Sequence, residues 1–342
     1  MKKFTGYMKG INLGGWLSQC DHRRETYDTF IVESDIKRIA SWGLDHVRLP
    51  IDYELVETAD GRYLEEGFNY IDTCLEWCKS YGLNMILDLH KTAGYSFDEL
   101  ETSSGFFESE LLQNRFVALW EELAKRYGKY EARLTFELLN EIVDPEVAVI
   151  WNGIAKRTIK AIRQYAPTIR IIIGGVRYNS FDSIKLLDPP YDSNIVYTFH
   201  FYEPLIFTHQ SAYWVNKMTA DFRTVYPNEF ANYISETEEF LPVENGEIYR
   251  NISPGKIDQS FFEAAFSEAV QIAKAQGVPL YCGEYGVIDQ ADLTSTLAWY
   301  SDINKAFEKY EIGRAAWTYK GKDFGLVDEH YTPILDKLIE LL

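Results

Sequence analysis

Eight short apolar runs recur along the chain, and stretches with apolar residues at helical spacing separate them. Several runs, such as NMILDLH and RIIIGG, are almost continuously apolar, as is typical of parallel strands buried on both faces. The predicted strands are residues 8–12, 46–50, 84–90, 133–141, 170–175, 195–202, 279–286 and 314–319.

The stretches between these runs predict amphipathic helices. In one of them Phe68, Ile71 and Leu75 repeat at helical spacing, and Gly82 follows the last turn as a stop signal. The predicted helices are residues 33–42, 66–81, 111–127, 146–165, 259–276, 292–310 and 332–342. Strand–helix alternation along the whole chain predicts an α/β fold, a single (β/α)₈ TIM barrel over residues 1–342.

One segment, residues 203–258, interrupts this alternation between the sixth strand and its helix. Ordinary strand–helix connections in such folds span only ~2–6 residues. The segment therefore predicts a small subdomain inserted in the loop after strand six. Because barrel active sites lie at the C-terminal ends of the strands, we expect the insert to wall one side of a cleft.

Charge and aromatic content restrict the class of partner. The formal net charge is −18, which disfavours nucleic acid and anionic membranes because phosphate binding needs basic clusters. Aromatic residues make up 15% of the chain and favour sugars, whose apolar faces stack on aromatic rings. No apolar run approaches the ~20 residues of a membrane span. The N-terminus lacks signal-peptide features, so we expect a cytoplasmic monomer, or a secreted one if a leader has been removed.

The four cysteines show no metal-binding spacing. Cys74 and Cys78 lie one turn apart on a predicted helix, a poor geometry for a disulfide, while Cys20 and Cys282 lie near predicted strand ends. We expect buried free thiols, and neither a metal nor a cofactor.

Polar residues gather at the C-terminal ends of the predicted strands, which converge on one pocket in a barrel. These residues are Asn12, Arg48, Asp88, His90, Asn140, Glu141, His200, Tyr202, Glu284 and Trp317. Glu141 and Glu284 end strands four and seven, and two carboxyls across a barrel mouth suit glycoside hydrolysis. Arg48 and Tyr202 would keep Glu284 ionised as a nucleophile, whereas an acid at Glu141 needs a raised pKa.

Strand four poses a geometric problem, because consecutive strand residues face opposite sides. Asn140 and Glu141 both face the pocket only if the strand ends or bulges there, which we predict. Glu137, four residues earlier, lies ~13 Å deeper in an extended strand. We expect it to be a buried partner of Arg48 and not a catalyst.

Other interpretations of these residues stay open. His90 and His200 are alternative metal ligands with the glutamates, although no HxH or HExxH pattern is present. Trp317 is either a platform beneath the sugar or core packing. The same choice applies to further candidates for aromatic platforms, namely Trp16, Trp151, Phe207, Trp214 and Tyr319.

At these residues the sequence resembles glycoside hydrolase family 5. The motifs are GINLGGWL (10–17), HVRLPIDY (46–53), LDLH (87–90), LLNE (138–141), FHFY (199–202), CGEYG (282–286) and AAWTYK (315–320). The resemblance implies a retaining mechanism with Glu141 as acid/base and Glu284 as nucleophile, acting on a polysaccharide or oligosaccharide. It implies a subsite for the cleaved sugar lined by Arg48, His90, Asn140, His200, Tyr202 and Trp317, to which we add Asn12 and Lys91.

Within the family the chain looks most like the clostridial endoglucanase C type, which has a small subdomain after strand six. That resemblance implies β-1,4-glucan or mixed-linkage β-1,3-1,4-glucan as substrate, and our main hypothesis is an endo-β-glucanase. The type has a second histidine where this chain has Lys91, which leaves the sugar preference open. The alternatives are an exo-acting β-glucosidase or β-1,3-glucanase, a β-mannanase and an inactive sugar-binding barrel.

Overall fold

Eight parallel strands close into a barrel in the computed structural model, which describes residues 1–98, 103–215, 217–242, 245, 250, 252 and 256–342. The barrel strands are β1 (Lys9–Asn12), β2 (His46–Asp52), β3 (Asn84–Lys91), β4 (Leu134–Glu137), β5 (Arg170–Gly174), β6 (Ile195–His200), β7 (Leu280–Tyr285) and β8 (Gly313–Ala316). Each strand pairs in parallel with its neighbour in sequence, and β1 pairs with β8 to close the ring. The predicted TIM barrel is confirmed.

Helices surround this barrel. The α-helices with described bounds are Arg24–Thr29, Glu33–Ser41, Tyr53–Val56, Glu65–Ser80, Glu110–Tyr127, Ala148–Ile162, Leu205–Thr208, Phe230–Phe240, Gln259–Gln276, Leu293–Tyr310 and Leu335–Leu341. The 3₁₀ helices are Gly128–Tyr130, Pro145–Val147, Phe181–Leu186 and Glu329–Ile334. The link from β5 to β6 contains only the 3₁₀ helix Phe181–Leu186, so the strand–helix alternation is irregular there.

Strand β4 ends four residues earlier than its apolar pattern predicts, at Glu137. Beyond it the backbone amide of Asn140 donates to the carbonyl of Leu89, and Glu141 takes a left-handed φ of 30°. The predicted break in strand alternation is therefore confirmed. It lets neighbouring residues of this segment point into the same pocket.

The segment 203–258 contains the helices Leu205–Thr208 and Phe230–Phe240. It also contains a two-stranded antiparallel ribbon, in which Asn228–Glu229 pairs with Lys256–Ile257. Its residues 216, 243–244, 246–249, 251 and 253–255 lie outside the described part of the chain. The insert reaches the barrel mouth at His209, whose ring lies 5.0 Å from that of Tyr202.

The predictions about the cysteines and about membrane-spanning segments can be compared with the structure. The four cysteines are free, but only Cys74, Cys78 and Cys282 are buried. Burial was wrong for Cys20, because its loop after β1 leaves the side chain partly exposed. Among the described residues, no helix is both long and apolar enough to cross a membrane.

Two helical glycines provide a paired test of how the helix after β2 packs. A Cβ at Gly67 would lie 1.8 Å from the carbonyl oxygen of Leu55, whereas one at Gly153 would meet nothing within 4 Å. We expect Gly67→Ala to lower the free energy of unfolding by ~1–3 kcal/mol through overpacking. Gly153→Ala should raise it by ~0.5–1 kcal/mol through higher helix propensity. Urea unfolding measures both, and equal effects of the two variants would contradict the close approach.

Candidate active site

Arg48 lies at the centre of the barrel mouth and is completely buried on β2. Its guanidinium contacts three carboxylates, at 2.8 and 3.1 Å from the two oxygens of Glu137, 3.0 Å from Asp88 and 2.8 Å from Glu284. Burial alone would lower the pKa of Arg48, but the carboxylates outweigh burial and hold that pKa well above its usual value. Arg48 is therefore a permanent cation, and the predicted Arg48–Glu137 pair is confirmed.

Two asparagines complete the surroundings of this guanidinium. The side-chain oxygen of Asn12 accepts from Arg48 at 3.0 Å, and that of Asn140 accepts at 2.9 Å. The amide nitrogen of Asn12 donates to the carbonyl oxygens of Gly283 and Ala316. Asn12 is thus a buried link between β1, β7 and β8 that helps to orient Arg48. The Asn12 side chain is buried, with both of its polar atoms engaged in these contacts, and its predicted contact with substrate stays a prediction.

Glu284 is the second-last residue of β7, and both of its carboxylate oxygens are hydrogen-bonded. Oε1 accepts from Arg48 at 2.8 Å, and Oε2 accepts from the Tyr202 hydroxyl at 2.9 Å. Burial and the nearby carboxylate raise the pKa of Tyr202 well above its usual value, so the phenol stays neutral and keeps donating. These two donors hold the Glu284 carboxylate in a fixed orientation.

Glu141 has different surroundings. Its Oε1 lies 2.6 Å from His200 Nδ1, and burial raises the pKa of Glu141 to about 8. Burial also lowers the pKa of His200 to about 4, so the imidazole is neutral at neutral pH. Glu141 can therefore hold a proton under conditions in which an exposed glutamate would be ionised.

The two glutamates face each other closely. One ligand-type atom each from Glu141, His200 and Glu284 lies within 4.8 Å of the others. Such spacing also fits a metal ion, the alternative left open by the sequence. However, Arg48 and Tyr202 already donate to the two oxygens of Glu284, which disfavours this carboxylate as a metal ligand.

His90 and Trp317 form one wall of the pocket, with parallel rings whose centroids are 5.8 Å apart. His90 Nδ1 lies 2.6 Å from Asp88 Oδ2, which fixes the orientation of the imidazole. Burial lowers the pKa of His90 to about 4 and raises that of Asp88 to about 7. The structure thus places His90, Asn140, His200, Tyr202 and Trp317 around the two glutamates, as predicted.

Lys91 belongs to a neighbouring cluster that the sequence did not predict. Its Nζ lies 3.7 Å from Asp52 and 3.6 Å from Glu54, and His22 lies 3.3 Å from Asp52. The hydrogen bond to Asp52 is the main reason that the pKa of His22 rises to about 10. Asp52 ends β2, which runs two residues beyond its predicted end at Pro50. Extending that strand would have placed Asp52 among the strand-end polar residues.

Most of the proposed aromatic platforms belong to the core. Trp16, Trp151, Phe207 and Tyr319 are each at most 1% exposed, so the platform interpretation was wrong for them. They pack beneath loops and helices, and apolar periodicity does not separate that role from a binding surface. Trp214 is 39% exposed. Among the exposed aromatics that the sequence analysis did not name, Tyr178 and Tyr213 lie on the loops after β5 and β6 and are 40% and 81% exposed.

Comparisons with known proteins agree with this geometry. The model of the cellulase family, glycosyl hydrolase family 5, matches residues 7–323. Cellodextrinase A of Ruminococcus flavefaciens is 45% identical over 314 residues, which are 92% of this chain and 86% of that protein. Endoglucanase C of Acetivibrio thermocellus is 43% identical over 345 residues and covers 99% of this chain and 98% of its own.

A solved structure supports the same relationship. Endoglucanase Cel5A of the hyperthermophile Thermotoga maritima matches with a TM-score of 0.77 at 26% identity, covering 98% of this chain and 97% of that one. The predicted likeness to the family and to the endoglucanase C type is confirmed. The chain belongs to glycosyl hydrolase family 5, and it is a glycoside hydrolase.

Proposed function

We propose that the protein is a retaining endo-β-glucanase that hydrolyses β-1,4 bonds in cellulose or mixed-linkage β-1,3-1,4-glucan. The observation that carries the retaining mechanism is the separation of the two carboxylates, whose nearest oxygens lie within 4.8 Å. Retaining enzymes hold their carboxyls ~5–5.5 Å apart, whereas inverting enzymes leave ~6.5–9.5 Å for a water. A separation this short supports the retaining class, because an inverting site must hold both the sugar and a nucleophilic water between its carboxyls.

The first step follows from the different surroundings of the glutamates. The ionised carboxylate of Glu284 attacks the anomeric carbon, and the glycosidic C–O bond breaks as the ester bond forms. Glu141, protonated because its pKa is about 8, gives its proton to the leaving oxygen. Arg48 and Tyr202 hold Glu284 in line for the attack.

In the second step Glu141 is a carboxylate and acts as a base. It removes a proton from a water, whose oxygen attacks the anomeric carbon and breaks the ester to Glu284. Two inversions restore the β configuration, and both glutamates regain their starting protonation.

Residues around the pocket are proposed to hold the sugar during both steps. The Asn140 amide nitrogen is buried and has no hydrogen-bond partner among the described residues, so it can donate to a sugar hydroxyl. We assign to Trp317 the platform beneath the cleaved sugar, with His90 beside it. Lys91 and its cluster are proposed to contact the next sugar and to influence the preference for it.

The endo-acting mode is supported by exposed aromatic side chains on the loops after β5 and β6, which are Tyr178, Tyr213 and Trp214. The insert is proposed to wall the cleft on the side of Trp214. A second candidate is cleavage of short cellodextrins. It is favoured by the name of one relative, Cellodextrinase A, and by the low exposure of Glu141 and Glu284, at 9% and 5%.

Product lengths over time distinguish these two modes. On barley β-glucan and carboxymethylcellulose, an endo-acting enzyme should lower viscosity early and release a mixture of oligosaccharides, because it cuts internal bonds. Chromatography of early samples measures this. Early release of only mono- or disaccharide would overturn the endo mode, and faster cleavage of mannan or laminarin than of both glucans would overturn the β-glucan assignment.

The two glutamates should be indispensable. Glu141→Gln and Glu284→Gln should each lower kcat on cellotetraose by at least ~10²-fold, because each removes a proton donor or a nucleophile. Glu268→Gln, at an exposed position paired with Lys185, is a matched control and should keep full activity. A 2,4-dinitrophenyl 2-deoxy-2-fluoro-β-cellobioside should label Glu284 covalently in the wild type. Labelling of another residue would contradict the retaining assignment.

The pKa of Glu141 predicts the alkaline side of the pH profile. A raised pKa of about 8 keeps the acid protonated below that pH, so kcat/KM on cellotetraose should fall as the pH rises through about 8. 2,4-Dinitrophenyl β-cellobioside needs no proton on its leaving group, so its kcat/KM should lack this decline. An identical alkaline decline for both substrates would show that another group titrates.

A further inference from the structure

The backbone at Glu141 requires support from its surroundings. Its φ of 30° lies in the left-handed region, where a residue with a side chain is strained. Such a conformation persists only where neighbouring groups hold it. Two backbone hydrogen bonds flank the site, from Asn140 to Leu89 and from Tyr178 to the carbonyl of Ile142. Neither of them binds the peptide groups of Glu141 itself.

Tyr95 supplies the contact at Glu141. Its hydroxyl donates to the carbonyl oxygen of Glu141 at 2.6 Å and accepts from the backbone amide of Val143 at 2.9 Å. One oxygen atom therefore fixes two points of the strained turn. The Tyr95 ring is 9% exposed and packs edge-on against Phe107, with centroids 5.4 Å apart.

The loop that carries Tyr95 is itself well defined near the ring. Thr92 and Tyr95 exchange both backbone hydrogen bonds in a tight turn directly after β3. Gly94 within this turn accepts a further hydrogen bond from the amide of Phe106. The hydroxyl thus reaches Glu141 from a separate, anchored loop, and not from the strand that it supports.

We propose that Tyr95 is a positioning residue for proton transfer by Glu141, a role that rests on the proposed function of Glu141 as acid/base. The direction of a carboxyl group follows from the backbone that carries it. A displacement of ~1 Å can cost ~10²-fold in rate when reacting atoms must align. The hydroxyl of Tyr95 fixes the turn so that the Glu141 carboxyl stays beside His200 and aimed at the leaving oxygen.

The test compares substrates that need the proton with one that does not. Tyr95→Phe keeps the ring but removes the hydroxyl. It should lower kcat/KM on cellotetraose by ~10–100-fold, because misplacement weakens acid catalysis. On 2,4-dinitrophenyl β-cellobioside, kcat/KM should stay within a factor of ~3, since the leaving group departs without protonation. Azide should raise kcat on this substrate in the variant, because a small anion replaces the water that Glu141 must activate.

Stability and positioning are separated by two controls. Removing the hydroxyl also leaves two buried backbone groups unpaired, which can lower the fraction of folded enzyme. Each rate is therefore divided by the fraction of enzyme that the 2-fluoro cellobioside labels, because this labelling needs no acid. Tyr197→Phe is the matched control, since this buried tyrosine also donates to a backbone carbonyl, that of Asp188. Any change in kcat/KM caused by Tyr197→Phe should be the same on cellotetraose and on 2,4-dinitrophenyl β-cellobioside.

Two kinds of failure are distinguishable. If Glu141→Gln is selective for the activated substrate but Tyr95→Phe loses both activities equally or neither, the role of Tyr95 is overturned and the proposed function stands. If Glu141→Gln shows no such selectivity, the assignment of Glu141 as acid fails, and the role of Tyr95 fails with it.

Discussion

A buried guanidinium determines how the barrel mouth is arranged. An isolated charge at the position of Arg48 would be prohibitively unfavourable, and it is stable there because Glu137, Asp88 and Glu284 approach it from three other strands. Removing Arg48 would leave these carboxylates as uncompensated buried charges, at a cost of ~3–5 kcal/mol. Arg48 therefore ties the position of Glu284 to the closure of the barrel itself.

The same constraint explains why two glutamates in one pocket can behave differently. Arg48 bonds to Glu284 directly, with Tyr202 as a second donor, whereas the partner of Glu141 is a neutral imidazole. Coulombic attraction to Arg48 also acts on Glu141, but burial outweighs it and raises the pKa. The two side chains are chemically identical, so the raised pKa of Glu141 comes from its surroundings.

The strands and the polar residues near their C-terminal ends could be predicted from the sequence because their pattern is local, although the exact ends of β2 and β4 could not. Buried parallel strands appear as apolar runs, and the polar residue that ends each run faces the mouth. The ion pair of Glu137 with Arg48 followed from strand rise, and the break before Glu141 followed from side-chain alternation. Both are consequences of strand geometry and need no knowledge of the loops.

The contacts made by loops were not predictable in this way. Tyr95 reaches Glu141 across 46 positions of sequence, and no periodic signal marks a residue whose role depends on the path of a loop. The prediction of Trp16 as a platform was wrong for a related reason. An aromatic residue beside a strand end packs inward or faces the pocket according to the loops and helices that cover it.

Lys91 belongs to a charged cluster at the border of the pocket, beside the Arg48 network. It occupies the end of β3, one residue after His90, but its ammonium turns towards Asp52 and Glu54 and away from the Arg48 network. A histidine is too short and too weakly basic to take over both of these contacts at neutral pH. Lys91 therefore gives this border of the pocket a positive charge that a neutral imidazole would not supply, next to the Arg48 network, with which it shares strands β2 and β3.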